Sequence, residues 1–210
     1  MLVSSEQRQV SARVLHPRSP PPLTPVEPPQ TGSIAGGNTF PGVSRPLGMV
    51  KLGPDLYSGV DAYSGYLPDG NFTGFSMLHE SGTGGAPKYG VVAQMPVLGT
   101  VDNPLAGLHV PRAQEDFTEV GYYRSELANG IRVELAGTGK AGLYQYTFPD
   151  EGGEPGVVVD VSHVLPSFRG MGLEQHYLGG EIGIEGEDDG HVSYRGYGDY
   201  DNVSLPVGSG

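Results

Sequence analysis

The chain has 210 residues, no cysteine, and 24 acidic against 12 basic side chains, which gives a formal net charge of −12. This length suffices for one ordinary domain with a hydrophobic core. The acidic balance argues against binding to nucleic acid or to anionic membranes, since both need clustered basic residues. The absence of cysteine excludes disulfides and thiolate metal sites, and no apolar run approaches the roughly twenty residues that span a bilayer.

Residues 1–32 are predicted to form a disordered tail. Within it, residues 17–29 (PRSPPPLTPVEPP) are rich in proline and almost free of large apolar side chains, a composition typical of extended or disordered segments. The tail also lacks the apolar stretch of a signal peptide, because residues 1–3 lead directly into polar sequence. We expect a plain linker here, with a proline-rich docking ligand as the functional alternative.

From residue 48 onward, glycine and proline punctuate short runs of β-type sequence. Residues 49–52 predict a strand that stops at Gly53-Pro54-Asp55, and residues 181–197 predict a hairpin with its tip at 187–190. The other predicted strands are residues 89–98, 121–127, 131–135, 143–148 and a central strand at 156–165. Residues 105–117 offer the one argument for a helix, which Pro111 interrupts. The pattern therefore predicts an all-β sandwich that forms one domain.

Two short motifs with possible chemistry have simpler structural explanations. Residues 137–142 (GTGKAG) match the GxGxxG dinucleotide fingerprint, but that site needs a helix after the glycines, and here a strand follows. We expect a β-turn there. The acidic residues at 185–189 could offer carboxylate oxygens to calcium, yet their spacing fits no EF-hand loop, so we expect a solvated hairpin turn.

The six histidines include two of interest. His163 follows a predicted strand, where we expect a hydrogen-bonded structural histidine. His79 precedes residues 81–85 (SGTGG), a loop with many free backbone amides, and two roles are open for it: a hydrogen bond to a sugar hydroxyl, or bracing of the loop. No nucleophile–base order stands out, and nothing in the sequence pairs two carboxylates as a glycosidase requires.

Residues 36–85 carry two long motifs: GGNTFPGVSRPLGMV at 36–50 and GFSMLHESGTGG at 74–85. In both, the chain resembles the N-terminal domain of glycoside hydrolase family 92, the calcium-dependent exo-acting α-mannosidases, and it is most similar to fungal members. A softer match lies between residues 167 and 198. The similarity covers residues 33–202, in the order that the family shows, so we take this range as the domain.

The resemblance implies a β-sandwich of the galactose-mutarotase-like supersandwich type. It also implies that an (α/α)6 domain, which this chain does not encode, supplies the catalytic acid, the catalytic base and most calcium ligands of an inverting α-1,2-mannosidase. We therefore expect neither catalytic residues nor metal ligands in this chain. The expected partners are that domain and α-mannosides or N-glycans. The resemblance implies an extracellular location for the full-length family, whereas the location of this chain stays open because no signal peptide is visible. The residues expected to contact the sugar are Gly37, Asn38, Thr39, Phe40, His79, Ser81, Gly82, Thr83 and Gly84.

The sequence also departs from the family pattern. Met77 stands where many members have a histidine, and residues 57–66 lack a tryptophan that is common there. Residues 203–210 (VSLPVGSG) do not continue the family sequence, which leads us to expect a truncated gene product with a non-homologous tail. Two alternatives are a free-standing mannoside-binding module, lectin-like or pseudoenzyme, and a fragment that does not fold stably.

Overall fold

A computed structural model describes residues 40–57, 66–80, 89–103, 106–165, 176–188 and 191–201. In these ranges the chain forms strands and contains no α-helix, so the predicted all-β class is confirmed. Over the same ranges there is likewise no helix long and apolar enough to cross a membrane. The strands are β1 (Val43–Ser44), β2 (Lys51–Tyr57), β3 (Asn71–Glu80), β4 (Tyr89–Leu98), β5 (Phe117–Glu119), β6 (Tyr122–Glu126), β7 (Arg132–Gly137), β8 (Gly142–Thr147), β9 (Pro155–Asp160), β10 (His176–Asp188) and β11 (His191–Asp201).

The strands form three antiparallel sheets. A five-stranded sheet has the order β1-β2-β3-β4-β9, and a four-stranded sheet has the order β5-β6-β7-β8. Strands β10 and β11 pair only with each other, over almost their full length. Most neighbours in the sheets are also neighbours in sequence, as in a meander of hairpins; β9 is the exception, since it returns to pair with β4.

The two larger sheets bury one shared core. Gln94 of β4 reaches across it, where its side-chain oxygen accepts a hydrogen bond of 3.0 Å from the hydroxyl of Tyr146 in β8. Burial of each large apolar side chain contributes about 1.5–3 kcal/mol, so this interior holds the sheets together as a sandwich. The core residues in or next to the first sheet are Val43, Val50, Leu52, Phe72, Phe75 and Met95, and those in or next to the second are Tyr123, Leu127, Ile131, Val133 and Leu135.

The predicted turns of the second sheet are confirmed. Gly130 has a φ of 86°, the left-handed conformation for which glycine carries no steric cost, and the Leu127 amide donates to the carbonyl of Ile131 at 2.9 Å. The GTGKAG motif is also a turn: β7 ends and β8 begins within it, and the Thr138 amide donates to the Ala141 carbonyl at 2.8 Å. No helix follows, so this motif cannot bind a dinucleotide in the usual way.

The structure corrects several boundaries. Strand β2 does not stop at residues 53–55 but continues through them to Tyr57. Strand β1 pairs only with Lys51 and Leu52, so the rest of β2 has a strand neighbour on one side, a position where proline is tolerated. Strand β9 is not central; it lies at the end of the sheet.

Other predictions concern less regular segments. In place of a helix, Val110 pairs with Phe72 and Arg112 with Leu127 as isolated bridges. The predicted hairpin at residues 181–197 is confirmed and extends well beyond them. The predicted tails, residues 1–32 and 203–210, lie outside the described residues.

Candidate functional site

The carboxylate of Asp55 is the centre of a buried polar cluster in the five-stranded sheet. Its Oδ1 lies 2.5 Å from Nε2 of His79, at the end of β3, and its Oδ2 lies 2.9 Å from Nε2 of His163, just after β9. The hydroxyl of Ser76 donates to the same Oδ2. Asp55 is fully buried, and both its oxygens are hydrogen-bonded, so three segments of the chain meet on one side chain.

The cluster is held in its charged form. Burial on its own would raise the pKa of Asp55, but the two histidines beside it hold that pKa well below its usual range. Burial would lower the pKa of His163, yet the hydrogen bond and the negative charge of Asp55 raise it above 6.5. The carboxylate is therefore ionised, and His163 beside it has reason to keep its proton.

His79 uses both ring nitrogens inside the protein. Its Nδ1 lies 2.9 Å from the carbonyl oxygen of Lys51, which can only accept, so Nδ1 donates. Its Nε2 faces an ionised carboxylate and donates as well, which makes the ring an imidazolium. The buried ring thus braces β3 against β2. The loop that the sequence expected it to brace, residues 81–85, lies outside the described residues. A contact between His79 and a sugar stays a prediction.

The ring of Phe40 packs against His79, with 4.4 Å between the ring centroids. The amino group of Lys51 lies 5.1 Å from the centre of the Phe40 ring, as in a cation–π contact. Glycine is needed beside this ring, because a Cβ on Gly42 or Gly53 would lie 2.3 Å from it. Phe40 and His79 are adjacent to the two loops that the sequence predicted to bind sugar.

Seven of the predicted sugar-binding residues lie outside the described residues. The structure thus brings together the two predicted residues that it describes, Phe40 and His79. The seven that it leaves undescribed are Gly37, Asn38, Thr39, Ser81, Gly82, Thr83 and Gly84.

A cavity of about 370 Å³ lies beside His163. The rings of Tyr57 and His109 stand at one part of its wall, edge to face with centroids 5.6 Å apart. Asp160 and Thr73 supply further polar groups, and much of the remaining wall is apolar. This combination of an apolar wall with a few convergent polar groups is typical of small-molecule sites.

Sequence reasoning missed Asp55 and the cavity. The Gly53-Pro54-Asp55 triplet reads as a turn, which places Asp55 at the surface, whereas the chain buries it within β2. No local pattern could have joined it to His163, which is 108 positions away. His163 itself was predicted to be a hydrogen-bonded structural histidine, and this is confirmed.

The described residues do not fit the calcium ion that the family implies. No group of three or more histidine and acidic side chains within those ranges is arranged to hold a metal. Calcium takes six to eight oxygen ligands, whereas the oxygens of Asp55 face N–H and O–H donors. In the acidic hairpin, Glu185 pairs with Arg195 at 3.0 Å.

Comparison with known proteins places the chain in a family. Residues 28–207 match the glycosyl hydrolase family 92 N-terminal domain. The chain belongs to this family. The resemblance carried by the two glycine-rich motifs is thereby confirmed, and so is the assignment of the chain to the N-terminal part of the family's proteins.

Two kinds of relative show what the family 92 domain is similar to. It is 35% identical over 149 residues to an uncharacterized secreted glycosidase of the fungus Arthroderma benhamiae, covering 65% of this chain and 19% of that protein. It shares its fold with a solved family 92 glycosyl hydrolase, at a TM-score of 0.62 and 22% identity, covering 76% of this chain and 22% of the other. The family 92 domain thus spans about a fifth of the length of these relatives.

A second solved structure is a family 92 inverting mannosidase of Bacteroides thetaiotaomicron. Its likeness has a TM-score of 0.48 and 17% identity, and it covers 82% of this chain and 27% of that one.

Proposed function

We propose that this chain is the sugar-positioning domain of a secreted family 92 α-mannosidase. Its two loops, at residues 37–40 and 79–84, form one side of a subsite for a terminal mannose of α-mannosides or N-glycans. The catalytic acid, the catalytic base and the calcium ligands come from an (α/α)6 domain. Membership of the family and the secreted fungal relative support this proposal.

The observation that carries the proposal is the contact between Phe40 and His79. These residues are thirty-nine positions apart in sequence, yet their rings lie 4.4 Å apart. The contact holds the last residue of one predicted loop beside the first residue of the other. With Phe40 and His79 in contact, the two segments that they flank are proposed to contact one sugar ring, and an aromatic ring suits the apolar face of a sugar.

Among the described residues, the two buried carboxylates do not suit acid–base catalysis. Asp55 is held by two histidines and a serine, and Asp116 by Arg112, Tyr66 and Ser125. A general acid must present a proton to the leaving group, and a general base must face a water. Neither carboxylate is free to do so, which favours a catalytic pair outside the described residues.

An assay of α-mannosidase activity, with and without calcium, tests the proposal. The chain alone and a fusion to the remaining sequence of the Arthroderma relative would be compared. We expect no turnover by the chain alone and calcium-dependent turnover by the fusion. Turnover by the chain alone would overturn the proposed division of roles.

Two substitutions sharpen this assay. Phe40→Ala in the fusion removes the ring beside His79 and should lower kcat/KM by about tenfold or more, the loss expected for one good stacking contact. Leu143→Ala is the matched control, because Leu143 is a similarly apolar residue that is 63% exposed on β8. It should leave kcat/KM unchanged, and an equal loss in both variants would contradict a specific role of Phe40.

The cavity beside His163 favours a second candidate, a free-standing mannoside-binding module. Its volume of about 370 Å³, its ring pair and its polar groups suit a small polyhydroxylated ligand. Calorimetry of the chain with mannobiose, repeated with Tyr57→Ala and Phe40→Ala, separates the candidates. A loss of heat confined to Tyr57→Ala favours the cavity, whereas a loss confined to Phe40→Ala favours the paired loops. No heat with the unaltered chain would count against an independent binding module.

A further inference from the structure

Neighbouring groups enclose the carboxylate of Asp55 on several sides. Gly90 lies in β4 and pairs with His79 of β3. A Cβ at this position would lie 2.9 Å from Oδ1 of Asp55 and 3.0 Å from the side chain of Leu165, so glycine leaves space for the carboxylate. On its other sides the carboxylate meets the donors of Ser76, His79 and His163. A side chain so enclosed transmits its orientation to its partners.

The partner that matters for the proposed site is His79. With its Nε2 on Asp55 and its Nδ1 on the Lys51 carbonyl, the imidazole plane is fixed from two sides. The ring of Phe40 packs against this fixed plane. The chain of contacts therefore runs from the carboxylate to His79 and from His79 to Phe40, and Asp55 itself is too deeply buried to touch a ligand.

We propose that Asp55 is the positioning residue of the family 92 domain: its carboxylate keeps His79 doubly protonated and in contact with the tilted ring of Phe40, and His163 locks the carboxylate in place. This inference deepens the proposed function and rests on it. Asp55 acts on the sugar only through His79 and Phe40.

Asparagine at position 55 is the decisive substitution, because it keeps the size of the side chain and removes the charge. The amide offers one acceptor oxygen and one NH₂ group, whereas two imidazole N–H groups and a hydroxyl point at this place. At least one imidazole N–H would then face the NH₂ group of the asparagine, and two donors cannot form a hydrogen bond unless that histidine loses a proton. In Asp55→Asn we expect His79 to become neutral and its ring to be held less firmly beside Phe40, because a charged hydrogen bond is replaced by a neutral one.

The charged groups near the cluster come from three elements. Lys51 on β2 places its amino group over Phe40, and Asp160 on β9 adds negative charge near His163. His79 on β3 and His163 after β9 supply the two rings. Neither Lys51 nor Asp160 is altered in the variants below, so a change in the His79 signal reports on position 55 or 163.

The experiment combines nitrogen NMR of the histidine rings with binding of mannobiose, both on the full chain. In the unaltered chain we expect both nitrogens of His79 to give protonated signals at pH 7 and mannobiose to bind. Asp55→Asn should convert His79 to the neutral form and weaken binding by about tenfold, which corresponds to about 1.4 kcal/mol.

The matched control is Asp116→Asn, which also removes a buried carboxylate charge, but at a distance in sequence and in a separate cluster. It should lower stability while leaving the His79 signals and the mannobiose affinity unchanged. Equal effects of Asp55→Asn and Asp116→Asn would show that Asp55 is merely structural and would overturn the proposal.

A second pair of variants covers the case in which Asp55→Asn fails to fold. His163→Gln keeps a donor toward Oδ2, whereas His163→Ala removes it. We expect the His79 signals and the affinity to survive in His163→Gln and to change in His163→Ala. Where Asp55→Asn does not fold, unchanged His79 signals in His163→Ala alone would overturn the proposal.

The two readouts separate this inference from the proposed function. If the histidine signals change as expected but neither the unaltered chain nor the fusion binds a mannoside, the proposed sugar site is contradicted. The positioning role is then contradicted as well, because it rests on that site. If mannobiose binds and Asp55→Asn binds it equally well, the proposed function stands and the positioning role is wrong.

Discussion

The guanidinium of Arg112 holds the buried carboxylate of Asp116 in a two-point pair, with Nη2 2.8 Å from Oδ2 and Nε 3.3 Å from Oδ1. The hydroxyls of Tyr66 and Ser125 each donate to the same carboxylate at 2.8 Å. Arg112 also donates to the Gly70 carbonyl at 3.2 Å. The cluster therefore ties the segment that precedes β3 to the segment that leads into β5.

Asp116→Ala should destabilise the domain by about 3–5 kcal/mol, because it leaves the Arg112 charge buried without its partner. Urea unfolding followed by circular dichroism measures the change. The control is Glu185→Gln, which breaks the ion pair with Arg195 on the exposed hairpin and should cost less than about 1 kcal/mol. Equal losses of stability in the two variants would contradict the claim that the buried pair contributes more than the exposed one.

A four-residue turn between β1 and β2 places a leucine in an unfavourable conformation. The Gly48 amide donates to the Arg45 carbonyl at 2.9 Å, and Leu47, at the third position of this turn, has a φ of 57°. Proline at the second position and a positive φ at the third are typical of a type II turn, which favours glycine at the third. The side chain of Leu47 is fully exposed, so it gains nothing from packing.

Leu47→Gly should therefore stabilise the domain by about 0.5–1 kcal/mol, since relief of the left-handed strain exceeds the entropy cost of glycine. Thermal unfolding measures this gain. Leu47→Ala keeps the strained φ and should change the stability by less than about 0.5 kcal/mol. An equal gain with alanine would mean that removal of the exposed leucine, and not its φ, explains the effect.

The second sheet was predictable because its signals are local. Asn129-Gly130 defines a tight turn, and the alternation of Arg132, Val133, Glu134 and Leu135 shows which side faces the core. Each of these signals lies within a few residues of the element that it specifies. The structure accordingly has β6, β7 and β8 within one or two residues of the predicted bounds.

The polar cluster was not predictable because its causes are distant in sequence. A Gly-Pro-Asp triplet is typical of turns, whereas here all three residues pair with residues 74–76 of β3, which keeps the triplet extended. The burial of Asp55 then depends on His163, which arrives from the far end of β9. Of the candidate site, the sequence motifs identified His79 and Phe40, but not the carboxylate that orients them.

Gly90 provides a further test of the packing around Asp55. A Cβ there would lie 2.9 Å from Oδ1, a distance that real Cβ atoms essentially never show, and 3.0 Å from Leu165, which is tighter than most real Cβ contacts. Gly90→Ala should destabilise the domain by about 1–3 kcal/mol, the usual cost of overpacking. Gly139→Ala is the control, because nothing lies within 4 Å of a Cβ at that turn position. Urea unfolding of both variants measures the difference, and equal stabilities would show that the carboxylate can move.

The cluster also predicts how stability depends on pH. The pKa of Asp55 is lowered in the folded state, so its contribution is present above its unfolded value of about 4 and is lost as pH falls through the lowered pKa. The pKa of His163 is raised, so its contribution is complete below about 6.5 and is lost as pH rises through the raised value. Both contributions are therefore complete between about pH 4 and pH 6.5.

Comparison of the unaltered chain with His163→Gln isolates the histidine contribution. The difference in the free energy of unfolding should be large at pH 5.5, where the imidazolium pairs with Asp55, and should shrink at pH 9, where a neutral ring is no better a donor than the glutamine amide. Urea unfolding at several pH values measures it. Leu143→Ala, at an exposed position of β8 without a titratable group, should show no such trend. A difference for His163→Gln that stays constant or grows from pH 5.5 to pH 9 would contradict a charged pair between Asp55 and His163.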